Sequence, residues 1–256
     1  MPTVDELYRF LNEKFPEELR CGWDNDGLML ACEPEREVYR VLCTLDVTDE
    51  CVDYAIKNSF DVIVSHHPMI FKPLKALNYL DPVARKAIRL VKSGISVMSF
   101  HTRLDAVAGG VNDLFAKLLG LTNVTPFGTD GELVGRIGEL SEPMEVTEFA
   151  SFVKKTLNAE RVLYSLGGSD VKRVAVCGGD GKDFVEAAKR AGADSYVTGQ
   201  LSYNIMEESD YYGLNMFEAG HFHTEDFVSV FLTRVILNKF TQVQTDYFNA
   251  NRVMAV

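Results

Sequence analysis

Short apolar runs alternate along the chain with amphipathic stretches. Residues 4–15 carry apolar positions at helical spacing and predict a helix. The run "VYRVLCTLD" (38–46) predicts a strand, and 48–58 a helix. "DVIVSHH" (61–67) reads as the next strand, closed by Pro68. Residues 82–93 read as a helix, "GISVMSFH" (94–101) as a strand and 109–119 as a helix. The alternation of strand and helix predicts parallel pairing through helical crossovers. The second half repeats it, with strands at 171–180, 193–199 and 213–221 and helices at 182–191, 201–208 and 225–239. Between the halves, 131–140 reads as an edge or connecting strand, 145–157 as a helix and 161–166 as extended.

The two halves also match in sequence. Val38-Tyr39-Arg40-Val41 aligns with Val171-Lys172-Arg173-Val174, and Asp61 to Val64 with Asp194 to Val197 at the same spacing. Gly94 to His101 then aligns with Gly213 to His221. The expected fold class is α/β. Two similar lobes arise from an internal duplication, each a mostly parallel sheet flanked by helices, with a metal site between them. The lobes are expected at 1–125 and 126–256.

This pattern locates the chemistry. His66 and His67, His101 with Asp105, and His221 with Glu225 all fall at or just past the carboxyl end of a predicted strand. Ligands of open α/β sheets collect there. Imidazole and carboxylate together suit zinc, iron, manganese, cobalt or nickel. Adjacent strand residues point to opposite faces. At a strand end broken by Pro68, however, His66 and His67 can both turn into one crevice, each serving a different ion. Two divalent ions are therefore expected, with Glu225 and Asp105 as the carboxylates and a shared water as the nucleophile. His101 can either ligate or orient Asp105. His223 reads as a solvated or supporting residue.

Other stretches carry weaker signals. "CGGDGKD" (177–183) resembles an anion cradle but lacks the full phosphate-loop pattern, so a tight strand-to-helix turn is the plainer reading. In "GWDNDGL" (22–28), Asn25 can donate to a substrate or simply close a turn. Lys72 and Lys75 follow the paired histidines and can either meet an anionic substrate or solvate a loop.

Composition narrows the class. The 256 residues are 46% hydrophobic and 25% charged, ordinary for a globular chain. A net charge of −11 argues against a broad nucleic-acid or membrane footprint. The five cysteines form no CxxC pair and are odd in number, which argues against a disulfide framework. No apolar run approaches the ~20 residues of a membrane span. "MPTVDELYRFLNEKF" is acidic and amphipathic, unlike a secretory signal. A cytoplasmic location is expected.

Taken together, "GWDNDGL", "TLDVT" (44–48), "SHHPMIF" (65–71), "FHTRLDAVAGGVND" (100–113), "CGGDGKD", "ADSYVTGQ" (193–200) and "GHFHTE" (220–225) resemble the Nif-three-like proteins, often labelled GTP cyclohydrolase I type 2 homologues. The resemblance covers almost the whole chain. It implies two α/β lobes with a dinuclear metal centre between them. The implied ligands are His66, His67, Asp105, His221 and Glu225, with His101 outside the ligand set. It also implies a ring-shaped homohexamer with its metal sites facing an inner cavity. Longer members carry a domain inserted between the lobes, for which 256 residues leave no room.

Two departures from the family pattern stand out. Arg103 occupies a place where asparagine is common, and an arginine there adds a fork-shaped donor for phosphate or carboxylate that can either tune substrate charge or point away. Gln200 replaces a carboxylate, and Asn204 replaces a histidine often found soon after it, which puts acid–base chemistry in question. The expected function is a metal-dependent hydrolase of a small nucleotide-like or phosphorylated substrate. The alternative is a non-catalytic ring that stores or senses metal, or docks a regulatory protein.

Overall fold

In a computed structural model, which describes residues 1–129 and 131–254, the apolar runs form two sheets flanked by helices. The chain divides into two units. One comprises Met1–Leu104 with Val228–Ala250, and the other Asp105–Phe227 with the last residues from Asn251.

In the first unit, β1 (Gly27–Leu30), β2 (Arg40–Thr44), β3 (Val62–Ser65) and β4 (Ser96–Ser99) precede the boundary. Strands β2, β3 and β4 pair in parallel, as the crossover pattern requires, and β1 adds antiparallel to β4. β3 is buried at all four positions, which explains its unbroken apolar run. Helices Asp49–Lys57 and Pro82–Lys92 make the crossovers. Thr48 caps the first by accepting from Cys51 N, and Asp81 caps the second by accepting from Val83 N and Ala84 N, with Pro82 in the first turn. Their Val52, Ala55, Ala87 and Leu90 pack with Leu42, Ile63 and Val97 of the sheet. Helix Val4–Lys14 opens with a reciprocal cap between Thr3 and Glu6.

The second unit holds β5 (Thr122–Thr129), β6 (Glu132–Met144), β7 (Leu163–Ser165), β8 (Val171–Cys177), β9 (Ser195–Thr198) and β10 (Asn215–Glu218). Their order is β5-β6-β8-β9-β10-β7. Phe115, Phe149, Val153, Val174, Val197 and Phe217 form its core. β11 (Gln244–Phe248) returns to the first unit and pairs in parallel with β2, giving the order β1-β4-β3-β2-β11.

The parallel core is the same in both sheets. Val41 pairs with Val62 and Val174 with Ser195, each partner 133 positions further along. Asp61 accepts from the amides of Tyr39 and Arg40, and Asp194 from those of Lys172 and Arg173. The buried-side carboxylate that fixes the strand start is therefore repeated too.

The structure departs from the sequence reading around this core. The second sheet is mixed rather than mostly parallel, because the β5–β6 hairpin and β7 pair antiparallel. β6 is an inner strand, not an edge, since the unforeseen β5 lies outside it and Val134 to Ile137 are buried. The helix expected at 225–239 is two, His221–Glu225 and Phe227–Lys239, so His221 starts a helix instead of ending a strand. No described helix is long and apolar enough to cross a membrane.

Candidate metal centre

In the first unit, His66 and His67 leave β3 together. Their amides still donate to Thr44 O (3.2 Å) and Leu45 O (2.9 Å) at the end of β2, so the turn before Pro68 is held by backbone bonds. Ser65 Oγ reinforces it by donating to His67 O at 2.8 Å. The imidazoles sit side by side, with ring centroids 5.2 Å apart, and His101 from the end of β4 completes a trio at 5.3 and 5.6 Å.

Each of these rings is oriented by an acceptor at Nδ1. His66 Nδ1 donates to Phe100 O at 2.9 Å. His67 Nδ1 donates to Asp46 Oδ1 at 2.8 Å, and His101 Nδ1 to Asp24 Oδ1 at 2.9 Å. A carbonyl or carboxylate at Nδ1 fixes the Nδ1–H tautomer and leaves Nε2 as the basic nitrogen. Ligand nitrogens of the three histidines lie within 4.8 Å of one another, an arrangement that can hold a metal ion. The chemistry of this donor set therefore fits a borderline divalent cation.

The loop "GWDNDGL" supports this trio from behind. Asp24 also accepts from Thr102 N (3.1 Å) and Thr102 Oγ1 (2.7 Å). Burial pushes the Asp24 carboxyl up, but its hydrogen bonds and charge interaction with His101, together with Thr102, outweigh burial and bring it down to about 2. Asp26 accepts from His101 N at 2.9 Å and Arg103 Nε at 3.0 Å. Asn25, read as a possible substrate donor, spends its amide on Ile70 O and so ties this loop to the one after the histidines.

Arg103 points into the protein interior. Its side chain is fully buried, and its Nη1 donates to Asn12 Oδ1 (2.6 Å) and Phe15 O (3.1 Å). The guanidinium also stacks over Phe100 at 4.8 Å. The departure from asparagine thus serves packing, pinning helix Val4–Lys14 to the segment that carries His101. Lys72 is exposed and lines a cavity of about 680 Å³ with Phe71 and Lys75.

In the second unit, Gly220 at φ +89° lets the chain turn sharply from β10 into helix His221–Glu225. Helical spacing then places Glu225 one turn beyond His221, with Nε2 and Oε2 3.0 Å apart. His221 Nδ1 donates to Gln200 Oε1 at 2.9 Å, the same device that orients the first three histidines. Gln200 is thus a neutral acceptor behind His221. Asp105 lies half-buried on the short helix Thr102–Ala106, where Arg136 Nη2 braces the backbone by donating to Ala106 O at 2.7 Å.

The glycine-rich turn after β8 is not an anion cradle. Gly178 N donates to Asn112 Oδ1 (2.8 Å), Gly179 N to Thr224 Oγ1 (3.1 Å) and Gly181 N to Thr198 Oγ1 (3.1 Å). Its glycine amides are spent inside the protein. Its purpose is close approach: a Cβ on Gly179, at φ +66°, would overlap the Glu225 carboxylate. His223, expected to be solvated or supporting, pairs with Glu160 at 2.8 Å. With His221 and Gln200 these two line a cavity of about 410 Å³.

Sequence reasoning named the histidines but missed the carboxylates behind them. Asp46 faces His67 because Thr44 pairs with Ser65 and each lies two residues upstream. That signal exists only once the strand register is known.

Comparison with known proteins agrees with the fold. The family described as Duf34/NIF3 (NGG1p interacting factor 3) matches residues 2–252. A Clostridium perfringens protein named GTP cyclohydrolase 1 type 2 homolog is 31% identical over 228 residues, covering 87% of this chain and 86% of its own. A Schizosaccharomyces pombe protein named Protein NIF3 homolog is 32% identical over 235 residues, covering 86% and 84%. Among solved structures, a Bacillus cereus protein related to NIF3 superposes with a TM-score of 0.88 at 24% identity, over 100% of this chain and 99% of that one.

Proposed function

The chain belongs to the Duf34/NIF3 family, and from that premise we propose that it is a dinuclear-metal hydrolase of a small nucleotide-like or phosphorylated substrate. The proposed ligands are His66, His67, Asp105, His221 and Glu225. The observation that carries this reading is the common orientation of the imidazoles. His66, His67, His101 and His221 each donate from Nδ1 to a fixed acceptor, which prepares Nε2 as the coordinating atom. A core histidine needs no such uniform arrangement. The repeated register of β2–β3 and β8–β9 supports an internal duplication, with each lobe contributing part of the ligand set. A cytoplasmic, ring-shaped hexamer completes the proposal.

A bound divalent cation would supply Lewis-acid polarisation and lower the pKa of water. The protein's part is orientation. Asp46 and the Phe100 carbonyl hold His67 and His66, and Asp24 holds His101. Gln200 holds His221 without adding charge. The name GTP cyclohydrolase 1 type 2 homolog, carried by relatives, gives the nucleotide direction.

Gln200 also favours a second reading. A neutral amide cannot transfer protons, so the centre could bind metal without catalysis, storing or sensing it or docking a regulatory partner. A hydrolysis screen separates the two. Protein loaded with manganese, iron or zinc is incubated with nucleotides and phosphoesters, alongside Glu225→Ala. Turnover in the loaded wild type that is lost in the variant supports the hydrolase. Metal binding without turnover on any substrate favours the second reading.

A further inference from the structure

Trp23 is the sole tryptophan of the chain, and it is 61% exposed. Phe71, 44% exposed, lies with its ring centroid 6.3 Å away at 68°. His101 completes the group, 6.0 Å from Trp23 at 78° and 6.4 Å from Phe71 at 88°. Three rings thus stand nearly perpendicular to one another, two of them open to solvent, and the third belongs to the histidine trio.

The exposure is not a consequence of slack loops. Asp24 N donates to Cys21 O at 3.0 Å, closing a turn around Trp23. Asp24 is fastened to His101 and Thr102, and the Asn25 amide reaches Ile70 O, next to Phe71. The loops carrying both aromatic rings are therefore tied to each other and to His101. A rigid, exposed aromatic pair loses little entropy on binding a flat ligand. Beside it, Phe71 lines the cavity of about 680 Å³ whose wall also carries Lys72 and Lys75. Both lysines are exposed, and neither makes an ion pair among the described residues. An aromatic face next to two uncommitted cations has the chemistry of a site for a flat heteroaromatic ring bearing an anionic group.

We propose that Phe71 stacks on the ring of a purine nucleotide and Trp23 closes against its edge, with Lys72 and Lys75 receiving its phosphate. This deepens the nucleotide-like substrate proposed above and rests on that reading for its place beside the metal centre. Binding itself requires no metal and no turnover.

The sole tryptophan makes the test direct. Trp23 emission is titrated with GMP, AMP, guanosine, ribose 5-phosphate and inorganic phosphate, in EDTA-treated and in zinc-loaded protein. N-acetyltryptophanamide corrects for absorption by the purines. Saturable quenching by GMP or AMP, but not by ribose 5-phosphate or phosphate, is expected with or without zinc. Phe71→Ala should weaken binding at least about fivefold, the low end for one base–aromatic stack. The double variant Lys72→Ala, Lys75→Ala should weaken the monophosphates more than guanosine. Circular dichroism and thermal midpoints establish that each variant is folded. Unsaturable quenching, equal affinity for ribose 5-phosphate, or an unchanged Phe71→Ala would overturn the proposal and leave the aromatic pair as a surface for another macromolecule. Saturable purine binding without hydrolysis would uphold the purine site while the hydrolase reading fails.

Discussion

Arg103 is a residue whose place the sequence leaves open. Beside the proposed metal ligands in sequence, it reads either as a substrate donor or as a side chain that points away. Folded, it is a buried cation paired with Asp26, both side chains fully inaccessible. Removing one partner of such a pair strands the other charge, so Arg103→Ala should lower stability by about 3–5 kcal/mol. Urea unfolding checks this, and the Arg103→Ala, Asp26→Ala double variant should lose less than the sum of the singles. Asp46 makes the opposite case: it is partly exposed and holds His67. Asp46→Ala should leave folding intact but reduce metal affinity by about 10–100-fold, measured by competition with a chromogenic chelator, with Asp46→Asn recovering part of the loss. Asp24 adds a pH signature. Its folded pKa of about 2 lies below the ordinary carboxylate value of 3.8, so its stabilisation is complete above about pH 4 and is lost as pH falls toward 2. Asp24→Asn should narrow its stability deficit against wild type across that window, as followed by denaturant unfolding at stepped pH.

At the scale of elements, the glycine turn after β8 shows how a backbone feature serves side-chain chemistry. Gly179→Ala adds a Cβ where φ is +66° and the Glu225 carboxylate already stands. The variant should lose at least about tenfold in metal affinity and become less stable; isothermal calorimetry and thermal unfolding measure the two. The strands most legible from sequence were those with apolar runs buried on both faces, β2, β3, β4, β8, β9 and β10, while β6 and β7 were legible as extended segments without their place in the sheet. β5 and β11 were not legible, because their polar and half-exposed residues carry no sustained apolar run, and β1, although Leu28-Met29-Leu30 is apolar, is a four-residue edge strand inside a loop-rich stretch. Thr122-Asn123-Val124-Thr125 becomes a strand through pairing with β6, a tertiary effect that local pattern does not contain. The site was legible to the same depth. His66, His67 and His101 show in the sequence because they follow strand ends, whereas Asp24, Asp46 and Glu160 acquire meaning only when register and loop contacts bring them to a ring nitrogen.

For the whole molecule, bound metal is expected to contribute to stability. A cation that binds only the folded chain raises its unfolding free energy by about 2.7 kcal/mol at a hundredfold excess over Kd. Zinc or manganese should therefore raise the thermal midpoint, and EDTA should return it to the metal-free value. The central claim of a dinuclear centre is tested most directly by counting metal. Protein equilibrated with manganese, iron or zinc and then desalted is analysed by elemental mass spectrometry beside His66→Ala and Glu225→Ala. About two ions per chain are expected in the wild type and fewer in both variants. No retained metal under any condition, or wild-type content in both variants, would contradict the claim.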